Sequence, residues 1–153
     1  MDEEEVLKQA ALLVAGFEGF SAVPYLDIGG VATIGYGTTI YPDGRHVTMD
    51  DAPVDRMQAQ GFLAAHLASI LPQVLAACPR LSGSRLVACL SFAYNEGTGA
   101  FARSTLARLI NAGDYAAAAD EFPKWVKTDG RRIGGLATRR ARERQVFLGG
   151  AVA

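Results

Sequence analysis

Near the start of the chain, hydrophobic residues recur every three or four positions, which is the spacing of one helix face. Residues 2–5 are all acidic, and acidic side chains stabilise the first turn of a helix through its dipole. The pattern predicts a first helix of about 12 to 15 residues with Glu18 near its C-terminal end, close to Gly19. The hydrophobic positions of this helix are Val6, Ala10, Leu13, Val14 and Phe17.

Two short runs with strand character follow, at 23–27 and 31–36, and the segment Ile28-Gly29-Gly30 joins them. Glycine supplies the positive φ that such a three-residue hairpin loop requires. If Asp27 pairs with Val31, then Tyr25 pairs with Thr33, and Asp27 and Thr33 become diagonal neighbours roughly 6 to 8 Å apart. Because side chains alternate along a strand, Gly35 and Gly37 are expected on the same face, where they would leave room for a ligand.

The remainder of the chain has helical patterning. After a turn at 41–44, a long amphipathic helix is predicted from about Asp51 to Ile70, and Pro72 is expected to kink or end it. Further helices are predicted from Ser82 or Ser84 to Asn95, at 104–113, at 115–122 and at 136–148. We therefore expect one α+β domain over 1–153, with an N-terminal lobe at about 1–50, a connecting helix at about 51–77 and a helical lobe at about 78–153.

The residues Glu18, Asp27 and Thr33 give this hairpin region its candidate chemistry. Two carboxyl groups across a cleft are the minimal machinery for hydrolysing a glycosidic bond, because one donates a proton and the other handles water or the sugar cation. Glu18 lies between Phe17 and Phe20 at a helix end, surroundings that disfavour its charged form and suit a general acid. The alternative for Asp27 is a turn residue, a common role for aspartate before Gly-Gly.

Several motifs resemble one known family. The stretches EGF, PYLD and G-x-x-TIGYG lie around the hairpin, and F-x-x-N-x-G-x-x-x-F (Phe92, Asn95, Gly97, Phe101) lies further along. The pattern G-L-x-x-R-R-x-x-E closes the series, at Gly135, Leu136, Arg139, Arg140 and Glu143. Their order over residues 13–148 resembles the phage-type lysozymes, the endolysin muramidases of glycoside hydrolase family 24.

The resemblance implies a lysozyme-like α+β fold, in which a small lobe of a helix and a three-stranded sheet is joined by a long helix to a helical lobe. It implies Glu18 as the catalytic acid, Asp27 as the residue that handles the attacking water and Thr33 as the hydroxyl that helps to place it. Substrate contacts are expected from Asn95, Arg139, Gly35 and Gly37.

The implied reaction is hydrolysis of the β-1,4 bond between N-acetylmuramic acid and N-acetylglucosamine in peptidoglycan, with inversion, for host lysis by a phage or prophage endolysin. A lytic transglycosylase is the alternative enzyme, although the presence of both Asp27 and Thr33 argues against it. A catalytically silent wall-binding module is the alternative outside enzymes.

Two positions depart from the family pattern. Thr38 stands where many relatives have histidine, and Glu96 replaces the usual apolar residue of the N-x-G element. A cleft-facing Glu96 would add a third acid, whereas a solvent-facing Glu96 would be inert. We favour the solvent-facing alternative.

The charge distribution is uneven along the chain. Residues 1–55 contain ten acidic and two basic residues, whereas residues 56–153 contain six acidic and thirteen basic residues. Scattered solvated helix faces would account for most of these charges. Six arginines within 14 residues nevertheless suggest a surface that faces a polyanion. They are Arg131, Arg132, Arg139, Arg140, Arg142 and Arg144.

Length and composition suit a single monomeric domain that binds bacterial peptidoglycan. The chain has 153 residues, half of them hydrophobic, and shows no recognised nucleic-acid-binding motif, so we expect no nucleic-acid partner. No apolar run approaches the roughly 18 residues of a membrane span, so stable insertion is not expected. The acidic start lacks the basic region of a signal peptide, which leaves open release from the cytoplasm by another factor or loss of an export segment. The expected site of action is the periplasmic wall.

Other chemistry-bearing residues carry weaker signals. His46 and His66 lack a ligand cluster, so neither a metal nor a cofactor is expected. Cys78 and Cys89 could pair in the periplasm, but buried free thiols are favoured because both have helical apolar neighbours. Trp125 is interpreted as core, with a sugar-stacking platform as the alternative.

Overall fold

A computed structural model describes residues 1–128, 131–132 and 134–152. Within these ranges, helices predominate and strands form only short antiparallel pairs. The helices are α1 Glu3–Ala15, α2 Arg56–Ala77, α3 Gly83–Glu96, α4 Thr98–Arg103, α5 Thr105–Asn111, α6 Tyr115–Ala119 and α7 Gly134–Phe147, with a 3₁₀ turn at Phe122–Lys124. The strands are β1 Ser21–Leu26, β2 Ala32–Gly35, β3 Lys127–Thr128 and β4 Arg131–Arg132.

Helix α1 begins at a side-chain cap, since Asp2 accepts a hydrogen bond from the backbone N–H of Glu5 at 2.8 Å. Its apolar face is buried, as the spacing predicts. The chain leaves the helix at Gly16, but the N–H of Glu18 still donates to the carbonyl of Val14 at 3.2 Å. Glu18 is therefore held by backbone bonding one turn beyond the end of α1.

The hairpin has the predicted register. Tyr25 lies opposite Thr33, and the N–H of Asp27 donates to the carbonyl of Val31 at 3.0 Å. Strands β1 and β2 therefore form a two-stranded antiparallel sheet whose loop begins at Asp27.

The expectation of a three-stranded sheet is wrong. After Ile34 the chain turns back on itself, and the backbone groups of Ile34 and Thr38 bond each other in both directions at 2.9 Å. Gly35 and Gly37 adopt φ of +65° and +87°, a conformation that only glycine takes readily, so the turn forms where a continuing strand was expected. The next segment makes only an isolated bridge between Ile40 and His46.

Helix α2 begins later than predicted. Asp55 caps it and forms a reciprocal capping box with Gln58. Asp51, the expected start, is instead bound in a turn, because its carboxylate accepts hydrogen bonds from the Thr48 N–H and hydroxyl and from the Tyr41 hydroxyl. These bonds lower the pKa of Asp51 far below its ordinary value. The helix continues through Pro72 to Ala77, so the proline does not end it.

Helix α2 bears on the expectation that the chain has no stable membrane insertion. With 22 residues and a mean hydropathy of 1.3 over its best window, it meets the length and composition test for a membrane span. The core helix of a water-soluble protein can have the same length and composition. Its inner residues pack against α1, α3 and α4, namely Ala59, Leu63, Leu67, Leu71 and Val74.

One main core joins α1 to α2 and to the C-terminal helices, so α1 packs with the helical lobe. A second, smaller cluster of Ile34, Tyr41 and Val47 lies beneath the sheet. The single-domain organisation with the bounds given above stays a prediction. Helix α3 lies at the centre of the main core, with eight consecutive buried residues from Leu86 to Ala93.

The buried-thiol interpretation of the cysteines is confirmed. Cys78 and Cys89 are both free and fully buried. Burial raises the pKa of the Cys78 thiol to about 11 and that of Cys89 well above its ordinary value. Both side chains therefore stay as neutral thiols in the main core.

Candidate active site

Glu18 lies in a cleft between the hairpin and the helical lobe. Its Oε1 is 3.6 Å from Nη1 of Arg139, and a third of its side chain is exposed. A methyl group added to Gly37 would stand 3.7 Å from Glu18 Oε2 and 3.8 Å from the Tyr94 hydroxyl. The predicted acid is thus brought together with two of the predicted contact residues, Gly37 and Arg139.

Tyr94, which the sequence did not single out as functional, forms one wall of this cleft. Burial and the negative charge of Glu18 raise the pKa of Tyr94 to about 12. The phenol therefore stays protonated and can donate a hydrogen bond at neutral pH. Its ring meets His66 edge-on at 5.2 Å, and both line a pocket of about 280 Å³ together with Gly37 and Thr38.

Asp27 is exposed where the hairpin loop begins, and its Oδ1 accepts a hydrogen bond from the Val31 N–H at 2.9 Å. Asp27 therefore does serve as a turn residue. Among the described contacts, this turn uses only one of its two carboxylate oxygens. Thr33 is 3% exposed, and its hydroxyl donates to the carbonyl of Val31 at 2.9 Å. The hydroxyl oxygen keeps its lone pairs as acceptors, because this bond uses only its hydrogen.

Gly35 packs closely against α2, and its contact with substrate stays a prediction. A methyl group on Gly35 would stand 2.8 Å from Cβ of Ala59, so its small size serves the close packing of β2 on α2. The positive φ of Gly35 interrupts the period-two alternation of the strand at this position.

Behind Glu18 lies a buried ionic network on α3 and α7. The Glu143 carboxylate bridges two arginines, since Oε2 pairs with Nε of Arg139 at 3.2 Å and Oε1 pairs with Nη1 of Arg140. Arg139 also donates to the backbone carbonyl of Ser91 at 3.0 Å, and the Ser91 hydroxyl donates to Glu143. The network fixes the guanidinium of Arg139 against Glu18 because its nitrogen atoms bond buried groups.

Comparison with known proteins matches this arrangement to one family. The family model described as phage lysozyme matches residues 15–143. The SAR-endolysin of Enterobacteria phage PA-2 is 35% identical, over 88% of this chain and 79% of that protein. The chain belongs to the phage lysozyme family. An endolysin of Acyrthosiphon pisum secondary endosymbiont phage 1 is 31% identical, over 93% of this chain and 97% of that protein.

Solved structures show the same likeness to phage lysozymes. The endolysin from Escherichia coli O157:H7 phage FAHEc1 superposes with a TM-score of 0.81 at 28% identity, covering 92% of this chain and 91% of that one. A P22 lysozyme mutant superposes with a TM-score of 0.79 at 31% identity, covering 92% and 95%. As a phage lysozyme, the chain is a glycoside hydrolase of the lysozyme type that acts on peptidoglycan.

The expected polyanion-facing arginine surface is wrong for Arg139 and Arg140, and Arg142 and Arg144 already have partners. Arg139 and Arg140 are 4% and 0% exposed and belong to the ionic network. Arg142 donates to the carbonyls of Ala151 and Val152, and Arg144 pairs with Asp120 at 3.0 Å. The side chains of Arg131 and Arg132 lie outside the described residues.

Glu96 occupies neither of the two environments expected for it. Its side chain is 21% exposed, and Oε1 pairs with Nη2 of Arg140 at 2.6 Å. The Asn95 side-chain carbonyl accepts a hydrogen bond from the same nitrogen, and the Trp125 carbonyl accepts one from Nε at 2.9 Å. Glu96 is therefore the outermost carboxylate of the network in this phage lysozyme.

Other predicted positions surround the cleft of this family member. Asn95 and Arg139 line a pocket of about 470 Å³ with Phe17 and Leu136, and their contact with substrate stays a prediction. Trp125 meets Phe92 edge-on at 5.1 Å, which confirms its interpretation as core. Among the described residues, His, Cys, Asp and Glu form no group of three or more that could hold a metal ion.

Ser91 and Glu143 had not been predicted to support the site. Glu143 belongs to the G-L-x-x-R-R-x-x-E motif, and its spacing of three and four residues from Arg140 and Arg139 is the pairing distance on a helix. That spacing is a signal that sequence reasoning could have used. No comparable signal marks Ser91, which lies 52 residues from Glu143 in the chain.

Proposed function

We propose that this chain is an inverting N-acetylmuramidase that cleaves the β-1,4 bond between N-acetylmuramic acid and N-acetylglucosamine. The observation that carries the proposal is the placement of Glu18, which lies in the cleft against Arg139, Gly37 and Tyr94, while Asp27 is exposed at the hairpin loop. Glu18 acts as the general acid that protonates the leaving oxygen.

In this mechanism, Asp27 activates water and does not bond to the sugar. One of its oxygens is bound to the Val31 N–H, which holds the carboxylate in place, and the other is available to water. Thr33, whose hydroxyl donates to the Val31 carbonyl, supplies a further acceptor for that water. An inverting glycosidase needs its two carboxyl groups about 6.5 to 9.5 Å apart, which leaves room for that water.

Binding residues and cellular context complete the proposal. Asn95, Arg139 and Gly37 contact the glycan, and Gly35 contributes to the same binding surface while packing against Ala59. The protein acts as a monomer on the periplasmic cell wall during host lysis, without a cofactor. The family assignment supports the wall as substrate.

The stereochemistry provides the test. We expect proton NMR of a soluble peptidoglycan oligosaccharide to show the α-anomer as the first-formed reducing end, because water attacks the face opposite the β-linked leaving group. A first-formed β-anomer would contradict inversion. Cleavage that creates no new reducing end would contradict hydrolysis and favour a transglycosylase.

A further inference from the structure

The network behind Glu18 contains two arginines and two glutamates. Arg139, Arg140 and Glu143 have side chains that are at most 5% exposed, so water screens their charges poorly. On their own these three groups would carry a net charge of +1. Glu96 supplies the second negative charge by pairing with Arg140 at 2.6 Å, and the four groups together are neutral.

The charges of this network act together on the cleft. Glu143 lies between Arg139 and Arg140, because each of its oxygens faces a different arginine. Coulomb contributions add, so the negative charge of Glu96 beside Arg140 makes the total potential of the network less positive. The positive potential at Glu18, whose Oε1 is 3.6 Å from Nη1 of Arg139, is therefore lower than it would be without Glu96.

The other groups around Glu18 do not take this role. Tyr94 of α3 faces Glu18 with a neutral phenol. Phe17, the residue before Glu18, has its ring 4.8 Å from the Arg139 guanidinium. Tyr25 of β1 contributes a second phenol near Tyr94. Among the described contacts of Glu18, Arg139 of α7 is the cationic one.

We propose that Glu96 is a positioning residue that sets the alkaline limit of activity by cancelling the charge of Arg140 and so helping Glu18 to keep its proton. The inference rests on the proposed role of Glu18 as general acid. It requires no contact between Glu96 and substrate.

The test compares four proteins. Glu96→Gln keeps the size of the side chain and an acceptor for Arg140 but removes the charge, whereas Glu96→Asp keeps the charge. Asp120→Asn is the matched control, because it removes one carboxylate from another arginine of α7, Arg144. For each protein we would record the pH dependence of kcat/KM on soluble glycan and the carbon NMR titration of the Glu18 carboxyl.

With Glu96→Gln, we expect the alkaline limb of the pH profile to move to lower pH, so that kcat/KM measured on that limb falls about threefold, and we expect the NMR curve of the Glu18 carboxyl to move in the same direction. A more positive potential favours the ionised carboxylate, so the acid loses its proton at a lower pH. Glu96→Asp and Asp120→Asn should keep the wild-type profile.

A purely structural role for Glu96 would lower thermal stability without moving either curve, and that result would overturn the proposal. The NMR titration needs no turnover, so it separates this failure from failure of the proposed function. If the Glu18 titration moves with Glu96→Gln but no protein hydrolyses glycan, the electrostatic link holds and the proposed function is wrong.

Discussion

Glu18→Gln is expected to reduce lysis of chloroform-treated Gram-negative cells at least about a hundredfold, the lower scale of general acid catalysis. The amide keeps the size of the side chain and can still accept a hydrogen bond, but it has no acidic proton to donate. Turbidity measured over time gives the rate. Retained lysis by a correctly folded Glu18→Gln protein would contradict the assignment of the acid.

A matched control is available on α1. Glu4 is exposed in the first turn of the helix, so Glu4→Gln makes the same chemical change away from the cleft. Its rate should equal that of the wild type. Both variants should melt close to the wild-type temperature, since Glu18 is a third exposed and its ion pair spans 3.6 Å.

Glu143→Gln is expected to lower the free energy of unfolding more than the other substitutions proposed for this protein. Glu143 is 0% exposed and bonds both Arg139 and Arg140, so removing its charge leaves two buried guanidinium groups with one remaining carboxylate partner each. Breaking a buried ion pair from one side costs about 3 to 5 kcal/mol in the free energy of unfolding. Urea unfolding followed by circular dichroism measures this change.

The control for this variant is Asp120→Asn, which breaks the exposed pair with Arg144. Exposed pairs contribute about 0 to 1 kcal/mol, so this substitution should change stability little. If Glu143→Gln cost no more than Asp120→Asn, the network would be a minor contributor to the fold.

Local patterns predicted the elements that carry the catalytic candidates. The helical spacing of apolar residues indicated α1, and two glycines after Asp27 indicated the hairpin loop and the opposition of Tyr25 and Thr33. These features depend on residues close together in the chain. Glu18 and Asp27 could therefore be placed before any tertiary contact was known.

The errors arose where distant residues decide the structure. Asp51 and Asp55 are both suitable helix caps. The Tyr41 hydroxyl donates a hydrogen bond to Asp51 and helps to hold it in a turn, so Asp55 caps α2 instead. The arginines of α7 had the composition of a charged surface, yet Arg139 and Arg140 are buried because Glu143 and Glu96 compensate them. Charge counted along the chain does not report which side chains have partners.

The central claim is that the cleft hydrolyses the muramyl bond of peptidoglycan with Glu18 as its acid. Mass spectrometry of the muropeptides released from purified sacculi tests it most directly, with Glu18→Gln as the inactive reference. We predict new reducing ends on N-acetylmuramic acid, formed with the uptake of one water and absent from the reference digest. Ends carrying 1,6-anhydro-muramic acid, or reducing ends on N-acetylglucosamine, would contradict the account.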